Sequence, residues 1–174
     1  MKNIVLLSDT HGYWDERITA YLEEADELWH GGDIGELHLE ALVPKHVHVR
    51  AVYGNIDDEK MRHRYPEYQH FHLEGLKFTL VHIAGMPPRY AKGVKAVLKR
   101  EQPDWLVCGH SHICRVQKDA DLGLLYVNPG AAGRKGFHRV RTLMRFRLDA
   151  GKVSNMQVIE LGLRAAPTPE LLEG

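Results

Sequence analysis

The stretch IVLLSDTHG, residues 4–12, joins a short apolar run to a cluster of polar side chains. Four consecutive aliphatic residues are typical of a strand that is buried on both faces. Ser8 and Asp9 end this run abruptly, and His11 follows two residues later. Functional groups in open α/β sheets gather beyond the carboxyl ends of strands. The stretch therefore predicts an α/β fold with a site at the end of its first strand.

The same pattern recurs four times further along the chain. Apolar runs end near positions 30, 53, 82 and 108, and each ends at or just before polar side chains. These side chains are Asp33, Asn55, His82 and the pair His110 and His112. Strand ends that share one edge of a sheet can bring distant residues together. We therefore expect the polar residues of all five strand ends to form one site.

The chemical types in this set favour metal binding. Imidazole suits Zn, Fe, Ni and Mn, while carboxylate oxygens favour harder cations. Buried carboxylates are also costly unless a cation or a partner compensates them. The set therefore predicts a site for two divalent metal ions, with Mn expected first and Fe, Ni, Zn or Co also compatible. The predicted ligands are Asp9, His11, Asp33, Asn55, His82, His110 and His112.

Strands and helices alternate along the chain and predict two sheets packed together with helices outside. Asp15 is expected to cap the first helix. The predicted single domain covers residues 1–161, followed by a loosely held C-terminal tail over residues 162–174. The predicted helices cover residues 15–25, 36–43 and 90–100, and the predicted hairpins cover residues 69–82 and 141–161.

The amino-acid composition limits the classes of protein to which this chain can belong. The 174 residues are 44% hydrophobic and 26% charged, as in one ordinary globular domain. Lys plus Arg and Asp plus Glu are 23 each, and this balance weighs against binding of extended nucleic acid. The apolar runs are too short for a membrane span or a signal peptide, so a cytoplasmic location is expected. Cys108 and Cys114 are too few for a disulfide framework or a Cys-based zinc site.

The order and spacing of the polar motifs resemble the calcineurin-like metallophosphoesterase superfamily, and within it the small YfcE-like phosphodiesterases. The resemblance extends from Ile4 to about Leu161. It implies a four-layer α/β/β/α sandwich and two metal ions, and it is compatible with a homodimer. By motif, Asp9, His11 and His112 resemble ligands of the first metal, Asp33 the bridging carboxylate, and Asn55, His82 and His110 ligands of the second metal.

Three positions depart from the superfamily pattern. Ile56 replaces the His that many members carry after the motif Asn, where it helps to protonate the leaving group. Ile83 replaces a Gly that often follows the fourth-motif His, and Ala131 replaces a Ser after Asn128-Pro129-Gly130. The first departure leaves the leaving-group acid unidentified, and the second alters the loop expected to shape the substrate pocket.

The function predicted from these motifs is metal-dependent hydrolysis of phosphate esters, with a phosphodiesterase favoured. A hydroxide bridging the two metals would attack phosphorus, and the residues with catalytic roles would be Asp33, Asn55 and His110. The expected substrate is a small phosphorylated molecule. Two alternatives are a non-catalytic Vps29-like protein-binding scaffold and a nuclease of the same superfamily, resembling the Mre11 type.

Other residues carry weaker functional hypotheses. His30, which is near Asp33, is a candidate for outer support of the metal ligands, and His138 is singled out only because it lies in the basic segment of residues 134–141. Tyr13 and Trp14 either line the substrate pocket or pack at a helix start. The basic segment around residues 134–141 either binds phosphate at the pocket mouth or, as we favour, is a solvated loop. Its cationic residues are Arg134, Lys135, Arg139 and Arg141.

Overall fold

The central strand of the first sheet, β1 (Lys2–Leu7), carries the apolar run that begins the predicted site. The structure is a computed structural model that describes residues 1–165. The further strands are β2 (Glu27–His30), β3 (His48–Ala51), β4 (Tyr68–Leu73), β5 (Leu76–Val81), β6 (Gly85–Met86), β7 (Arg89–Tyr90), β8 (Trp105–Val107), β9 (Cys114–Asp119), β10 (Leu124–Pro129), β11 (Val140–Asp149) and β12 (Lys152–Leu163). The helices are α1 (Glu16–Leu22), α2 (Leu39–Leu42), α3 (Glu59–Arg64) and α4 (Val94–Glu101).

The two large sheets have similar designs. The first has the strand order β12-β11-β1-β2-β3, and the second has the order β4-β5-β8-β10-β9. Strands β1, β2 and β3 run parallel, as do β5, β8 and β10. The outer strands β4, β9, β11 and β12 join them antiparallel. The carboxyl ends of the parallel strands in each sheet therefore lie along one edge.

The side chains of β1 point alternately to the two faces of the first sheet, and this alternation explains how the layers of the fold pack. Ile4 and Leu6 face the second sheet, where they join the core that contains Trp29. Val5 and Leu7 face the opposite side and pack in the cluster that holds α1. Buried residues of α4 pack with β8 and β10 on the outer face of the second sheet. The result is the predicted α/β/β/α sandwich, with two mixed sheets inside and helices outside.

Several predicted elements differ in extent from those observed. The predicted helix over residues 90–100 begins only at Val94, because Arg89–Tyr90 pairs with Gly85–Met86 as a small hairpin. The predicted helix over residues 15–25 ends at Leu22. Helix α3 and strand β9 were not predicted. The predicted boundary at residue 161 falls within β12, and residues 166–174 of the predicted tail lie outside the described residues.

Within residues 1–165, every helix is too short or too polar to cross a membrane.

Asp15 begins α1 and also ties this helix to the first sheet. Its carboxylate accepts a hydrogen bond from the backbone N–H of Arg17 at 3.0 Å, as predicted for an N-cap. It also pairs with Arg141 of β11 at 2.8 Å, and both side chains are buried. Hydrogen bonds from Arg17, and after them from Arg141, outweigh burial and lower the pKa of Asp15. The carboxylate is therefore ionised at neutral pH.

Replacing Asp15 with Ala is expected to lower the free energy of unfolding by about 3 kcal/mol, because the buried Arg141 loses its charged partner. For a chain of this size the melting temperature falls by about 6–12 °C. Thermal unfolding followed by circular dichroism would measure the change, with Glu16→Ala on the exposed face of α1 as the control.

The difference in melting temperature should depend on pH. A carboxyl group with a lowered folded-state pKa contributes its stability above its unfolded pKa and loses it as the pH falls toward the folded pKa. The difference in melting temperature between wild type and Asp15→Ala is therefore largest at neutral pH and becomes smaller below about pH 4. A gap that stayed constant down to pH 2 would contradict an ionised Asp15 as its source.

Candidate metal centre

The predicted ligands lie on loops that follow β1, β2, β3, β5 and β8, at one edge of the two sheets. Five of them have a left-handed backbone, with φ between 48° and 67°. This conformation costs a non-glycine residue roughly 1–3 kcal/mol and persists only where its surroundings enforce it. The strained residues are Asp9, His11, Asp33, His110 and His112. Backbone strain is thus concentrated at the strand ends where the metal site was predicted.

The first group of side chains consists of Asp9, His11 and His112. The Nε2 atom of His112 lies 3.0 Å from Oδ1 of Asp9, and Nε2 of His11 lies 3.8 Å from the same oxygen. One potential ligand atom from each residue lies within 4.8 Å of the others. The group matches the three residues predicted for the first metal.

The second group consists of Asp33, His82 and His110. Nε2 of His82 lies 3.2 Å from Oδ1 of Asp33. The side-chain oxygen of Asn55 completes the cluster, at 3.1 Å from Nε2 of His82 and 2.9 Å from Nδ1 of His110. The structure therefore also brings together the residues predicted for the second metal.

Asp33 lies between the two groups. Its Oδ1 atom faces His82 of the second group at 3.2 Å, while its Oδ2 atom faces His11 of the first group at 3.4 Å. A carboxylate can offer one oxygen to each of two cations. The orientation of Asp33 is the one that a bridging ligand requires.

Two buried polar atoms in the first group favour a cation. Within residues 1–165, Oδ1 of Asp9 and Nε2 of His11 find no hydrogen-bond partner. The other oxygen of Asp9 is well satisfied, since it accepts from the Ser8 hydroxyl at 2.6 Å and from the backbone N–H of His110 at 3.1 Å. Buried polar atoms without partners are rare in native proteins, and a metal ion is one way to satisfy them. The residues present therefore fit a divalent cation.

Electrostatics keep both carboxylates ionised. Burial would raise the pKa of Asp9, but the imidazoles of His11, His112 and His82 and the hydroxyl of Ser8 outweigh it and lower that pKa. The pKa of Asp33 is also lowered, because His82 outweighs the effect of burial. In return, the carboxylates overcome burial and raise the pKa of His82. A bound divalent cation would replace the protons that otherwise compensate these carboxylates.

Asp57 and His30 hold the ligand loops from outside the metal groups. The buried carboxylate of Asp57 accepts backbone N–H groups of Ile34, Gly35 and Gly54 at 2.7–3.1 Å. It thereby joins the loop after β2 to the loop after β3. Asp57 therefore orients the backbone beside Asp33 and Asn55.

His30 supports the loop after β1. Its Nδ1 atom accepts from the backbone N–H of Gly32 at 3.1 Å, so its Nε2–H can donate to the hydroxyl of Thr10 at 2.9 Å. That hydroxyl in turn donates to the carbonyl of Ile34 at 3.0 Å. Complete burial lowers the pKa of His30 to about 3, which keeps the ring neutral. The hydrogen bonds of His30 therefore hold the loops after β1 and β2.

The basic segment is not a uniform solvated loop or phosphate clamp. Arg141 is buried against Asp15, so the hypothesis that it binds phosphate is wrong. Arg134 lies 4.8 Å from the ring centre of Tyr13 and donates to the carbonyl of Arg164 at 3.0 Å. Lys135 and Arg139 are exposed.

The two aromatic candidates also have structural contacts. Trp14 packs against the core around α1, and its indole N–H donates to Thr19 at 3.0 Å. Tyr13 lies against the guanidinium groups of Arg134 and Arg141. Packing at the start of α1 is therefore the role that the structure assigns to both.

Ser8 and Asn128 are supporting residues to which sequence reasoning assigned no role. Ser8 donates to Asp9, while the side-chain amide of Asn128 donates to the carbonyl of Gly109 at 2.9 Å and contacts the hydroxyl of Ser111 at 3.1 Å. The motif containing Asn128 was noticed in the sequence, but only the fold shows that it holds the loop of His110. A serine at a strand end carries no comparable signal.

Comparisons with known proteins agree with the fold and the centre. The model of the calcineurin-like phosphoesterase superfamily domain matches residues 1–151. The chain therefore belongs to the calcineurin-like phosphoesterase superfamily, as its motifs predicted. It is 30% identical over 165 residues to a probable metallophosphoesterase of Mycoplasma pneumoniae, covering 90% of this chain and 96% of that protein.

Two solved structures share the same fold. An archaeal phosphodiesterase gives a TM-score of 0.66 at 18% identity and covers 91% of this chain and 99% of its own. Vps29 from Entamoeba histolytica, complexed with Zn²⁺, gives a TM-score of 0.66 at 17% identity and covers 91% and 98%. The likeness confirms the predicted metallophosphoesterase architecture.

Close packing at Gly54 provides a test of the second group. A Cβ atom added at Gly54 would lie 2.1 Å from Oδ1 and 2.3 Å from the backbone nitrogen of Asp33. Gly54→Ala is therefore expected to displace Asp33 and weaken Mn²⁺ binding by roughly 10–100-fold, as when a ligand loses its supporting contacts. Calorimetric titration of metal-stripped protein with Mn²⁺ would measure the loss.

Gly123→Ala is a suitable control for this variant. Gly123 has a φ of 68°, but an added Cβ would meet no atom of the described residues within 4 Å. The substitution is expected to cost about 1–2 kcal/mol of stability through its backbone conformation, with Mn²⁺ affinity unchanged. Equal Mn²⁺ affinities in Gly54→Ala and wild type would contradict the role of this close contact.

Proposed function

We propose that this protein is a metal-dependent phosphodiesterase with two divalent ions, for which Mn²⁺ is expected and Fe, Ni, Zn or Co are compatible. The observation that carries the proposal is the orientation of Asp33, which directs one oxygen to each group of side chains. Membership of a phosphoesterase superfamily and the likeness to an archaeal phosphodiesterase support it. The substrate would be a small phosphorylated molecule.

Bound ions would act as Lewis acids that lower the pKa of water and offset charge on the phosphate. Asp9, His11 and His112 would hold the first ion, while Asn55, His82 and His110 would hold the second. Asp33 would serve both. Asp9, Asp33 and His82 are buried, which separates the negatively charged floor of the centre from solvent.

Asn55 and His110 are the exposed members of the set. They mark the side from which a substrate can approach, while the buried ligands lie beneath them. An amide and an imidazole there can donate hydrogen bonds to phosphate oxygens as their charge increases during the reaction. Burial lowers the pKa of His110, so its ring is neutral at neutral pH. These two residues would therefore position the phosphate, while Asp33 would contribute through the ions that it holds.

Next to this entrance is a cleft of roughly 220 Å³. Its walls include Tyr53, Arg62 and Ile83, and it reaches Asn55 and His82 of the second group. The guanidinium of Arg62 lies 4.9 Å from the ring centre of Tyr53. A cleft of this size beside the second group could accept the leaving group of a small ester. We expect the protein to act on such molecules, as a soluble cytoplasmic enzyme that can form a homodimer.

Metal-stripped wild type should hydrolyse a chromogenic phosphodiester only after Mn²⁺, Ni²⁺, Zn²⁺ or Co²⁺ is restored. Asp33→Asn removes a carboxylate that faces both groups. Its loss should reduce metal-dependent turnover by more than the roughly 10–100-fold that losing an outer partner costs. Rates on the diester and on the matching monoester, measured with each metal, would test both the enzyme class and the preference for diesters.

His46→Ala, on the exposed surface, is the control and should retain wild-type rates. Folded wild type that turned over neither ester with any metal would contradict the proposal. Such a result would favour the alternative of a protein-binding scaffold, which the likeness of the fold to Vps29 supports. Preference for a long DNA strand over small diesters would instead favour the nuclease alternative.

The residue after Asn55 should govern the choice of leaving group. Ile56 is an exposed aliphatic side chain that cannot donate a proton, and its backbone N–H is bound to Asp33 at 3.0 Å. The rate should therefore fall steeply as the pKa of the leaving alcohol rises. Introducing an acid by Ile56→His should flatten this dependence and accelerate the poorest leaving groups, by roughly 100-fold if the new imidazole is well placed.

A series of aryl and alkyl phosphodiesters would measure this dependence, with Ile56→Val as the matched aliphatic control. Equal slopes for wild type, Ile56→His and Ile56→Val would show that protonation at this position does not limit the reaction.

A further inference from the structure

The segment from Gly133 to His138 closes over the first group of side chains. A Cβ atom at Gly136 would lie 2.1 Å from Nδ1 of His112, and one at Gly133 would lie 2.3 Å from the carbonyl oxygen of Thr10. Gly136 also has a φ of 126°, which L side chains rarely adopt. Only a glycine-rich segment could approach His112 and the loop after β1 this closely.

His138 ends the segment with its ring against His112. The two ring centres are 5.0 Å apart at 73°, and the two Nδ1 atoms are 3.1 Å apart. The opposite nitrogen of His138, Nε2, lies 2.9 Å from the carbonyl oxygen of Gly133. A carbonyl oxygen can only accept, so Nε2 of His138 carries a hydrogen and donates it.

The direction of the remaining hydrogen bond follows from this one. In a neutral imidazole one nitrogen donates and the other accepts. Nδ1 of His138 is therefore an acceptor, and Nδ1 of His112 must donate to it. The lone pair of His112 is then on Nε2, which faces Oδ1 of Asp9 at 3.0 Å. Two electron-pair donors at this distance are compatible when a cation lies between or beside them.

We propose that His138 is a positioning residue of the first metal site, which fixes the tautomer and the orientation of His112 so that its Nε2 lone pair is available for metal binding. Metal-binding histidines are usually oriented by a carboxylate, a carbonyl or water at the other ring nitrogen. Here a second imidazole, itself anchored to Gly133, fills that position. The inference rests on the proposed function, because it requires a metal at the first group.

The effect of His138 should be confined to one of the two sites. His82 of the second group is anchored differently, since its Nδ1–H donates to the carbonyl of Gly31 at 2.7 Å. The ring of His110 contacts the side chain of Asn55. Among the described residues, the ring of His138 hydrogen-bonds to His112 and to the carbonyl of Gly133, while its backbone carbonyl accepts from Nε of Arg164; none of these partners belongs to the second group.

Two background variants allow metal binding at the two sites to be measured separately. His82→Ala disables the second site and leaves the first, while His11→Ala disables the first and leaves the second. We expect His138→Ala to weaken Zn²⁺ and Mn²⁺ binding by roughly 10–100-fold in the His82→Ala background and to leave it unchanged in the His11→Ala background. Calorimetric titration of metal-stripped protein measures both, and His46→Ala serves as the surface control.

Two isosteric variants distinguish positioning from packing. In His138→Asn the side-chain oxygen can occupy the place of Nδ1 and still accept from His112, so metal affinity should recover to within a few-fold of wild type. In His138→Gln the amide can donate to Gly133 but offers His112 no acceptor, so the loss should persist. Nitrogen-15 shifts of the His112 ring in the Zn²⁺-loaded protein report its tautomer and should show Nδ1 protonated in wild type and in His138→Asn.

Wild-type affinity of the first site in His138→Ala would overturn the proposal, as would equal losses at both sites together with a lowered melting temperature. Loss in His138→Asn as large as in His138→Gln would also overturn it. A wild type that bound no metal at all would overturn the proposed function itself, which distinguishes that failure from a failure confined to His138.

Discussion

The arrangement of the site depends on two buried carboxylates of like charge at one edge of the sheets. Asp9 is fully buried and Asp33 is 3% exposed. Removing an ionised group from water costs several kcal/mol even after the protein relaxes around it. Among the described residues, the ion-pair partners of both carboxylates are histidines, with no Lys or Arg side chain paired to either. Imidazoles compensate charge only when protonated, and a divalent cation does so at any pH at which the histidines are neutral.

The need to surround two buried carboxylates with histidines explains why strained backbone and glycines occur together at the strand ends. The left-handed residues at the ends of β1, β2 and β8 turn the chain back at once, so that neighbouring loops stack against each other. Glycine permits the contacts that follow: a Cβ at Gly109 would lie 2.0 Å from the hydroxyl of Ser8 and 2.6 Å from Oδ2 of Asp9. The loops are close enough for the backbone N–H of His110 to bind Asp9 across 101 residues of sequence.

Much of this arrangement could be predicted from the sequence because apolar runs and polar strand ends are local signals. The run of residues 4–7 identifies β1, but because all four side chains are buried, only the fold shows which of them face the second sheet. Helix α3 was missed because none of its residues is buried, so it has no hydrophobic period. Strand β9 was missed for a similar reason, since only Asp119 is buried within it. The contact of His138 with His112 spans 26 residues and depends on how the intervening segment closes.

The stability that the metal-free protein loses at this centre bears on the choice between an enzyme and a protein-binding scaffold. The same fold occurs in Vps29, so the architecture alone does not distinguish the two roles. In this chain, however, the full set of predicted ligands converges. The convergence requires five left-handed residues, two buried carboxylates and two buried atoms that have no hydrogen-bond partner in the described part of the chain. Each of these lowers the stability of the metal-free protein. A protein that used only its outer surface would be more stable with these charges replaced, whereas a protein that binds cations here recovers the loss through binding. The whole costly set therefore favours a centre that binds metal over a protein that uses only its outer surface.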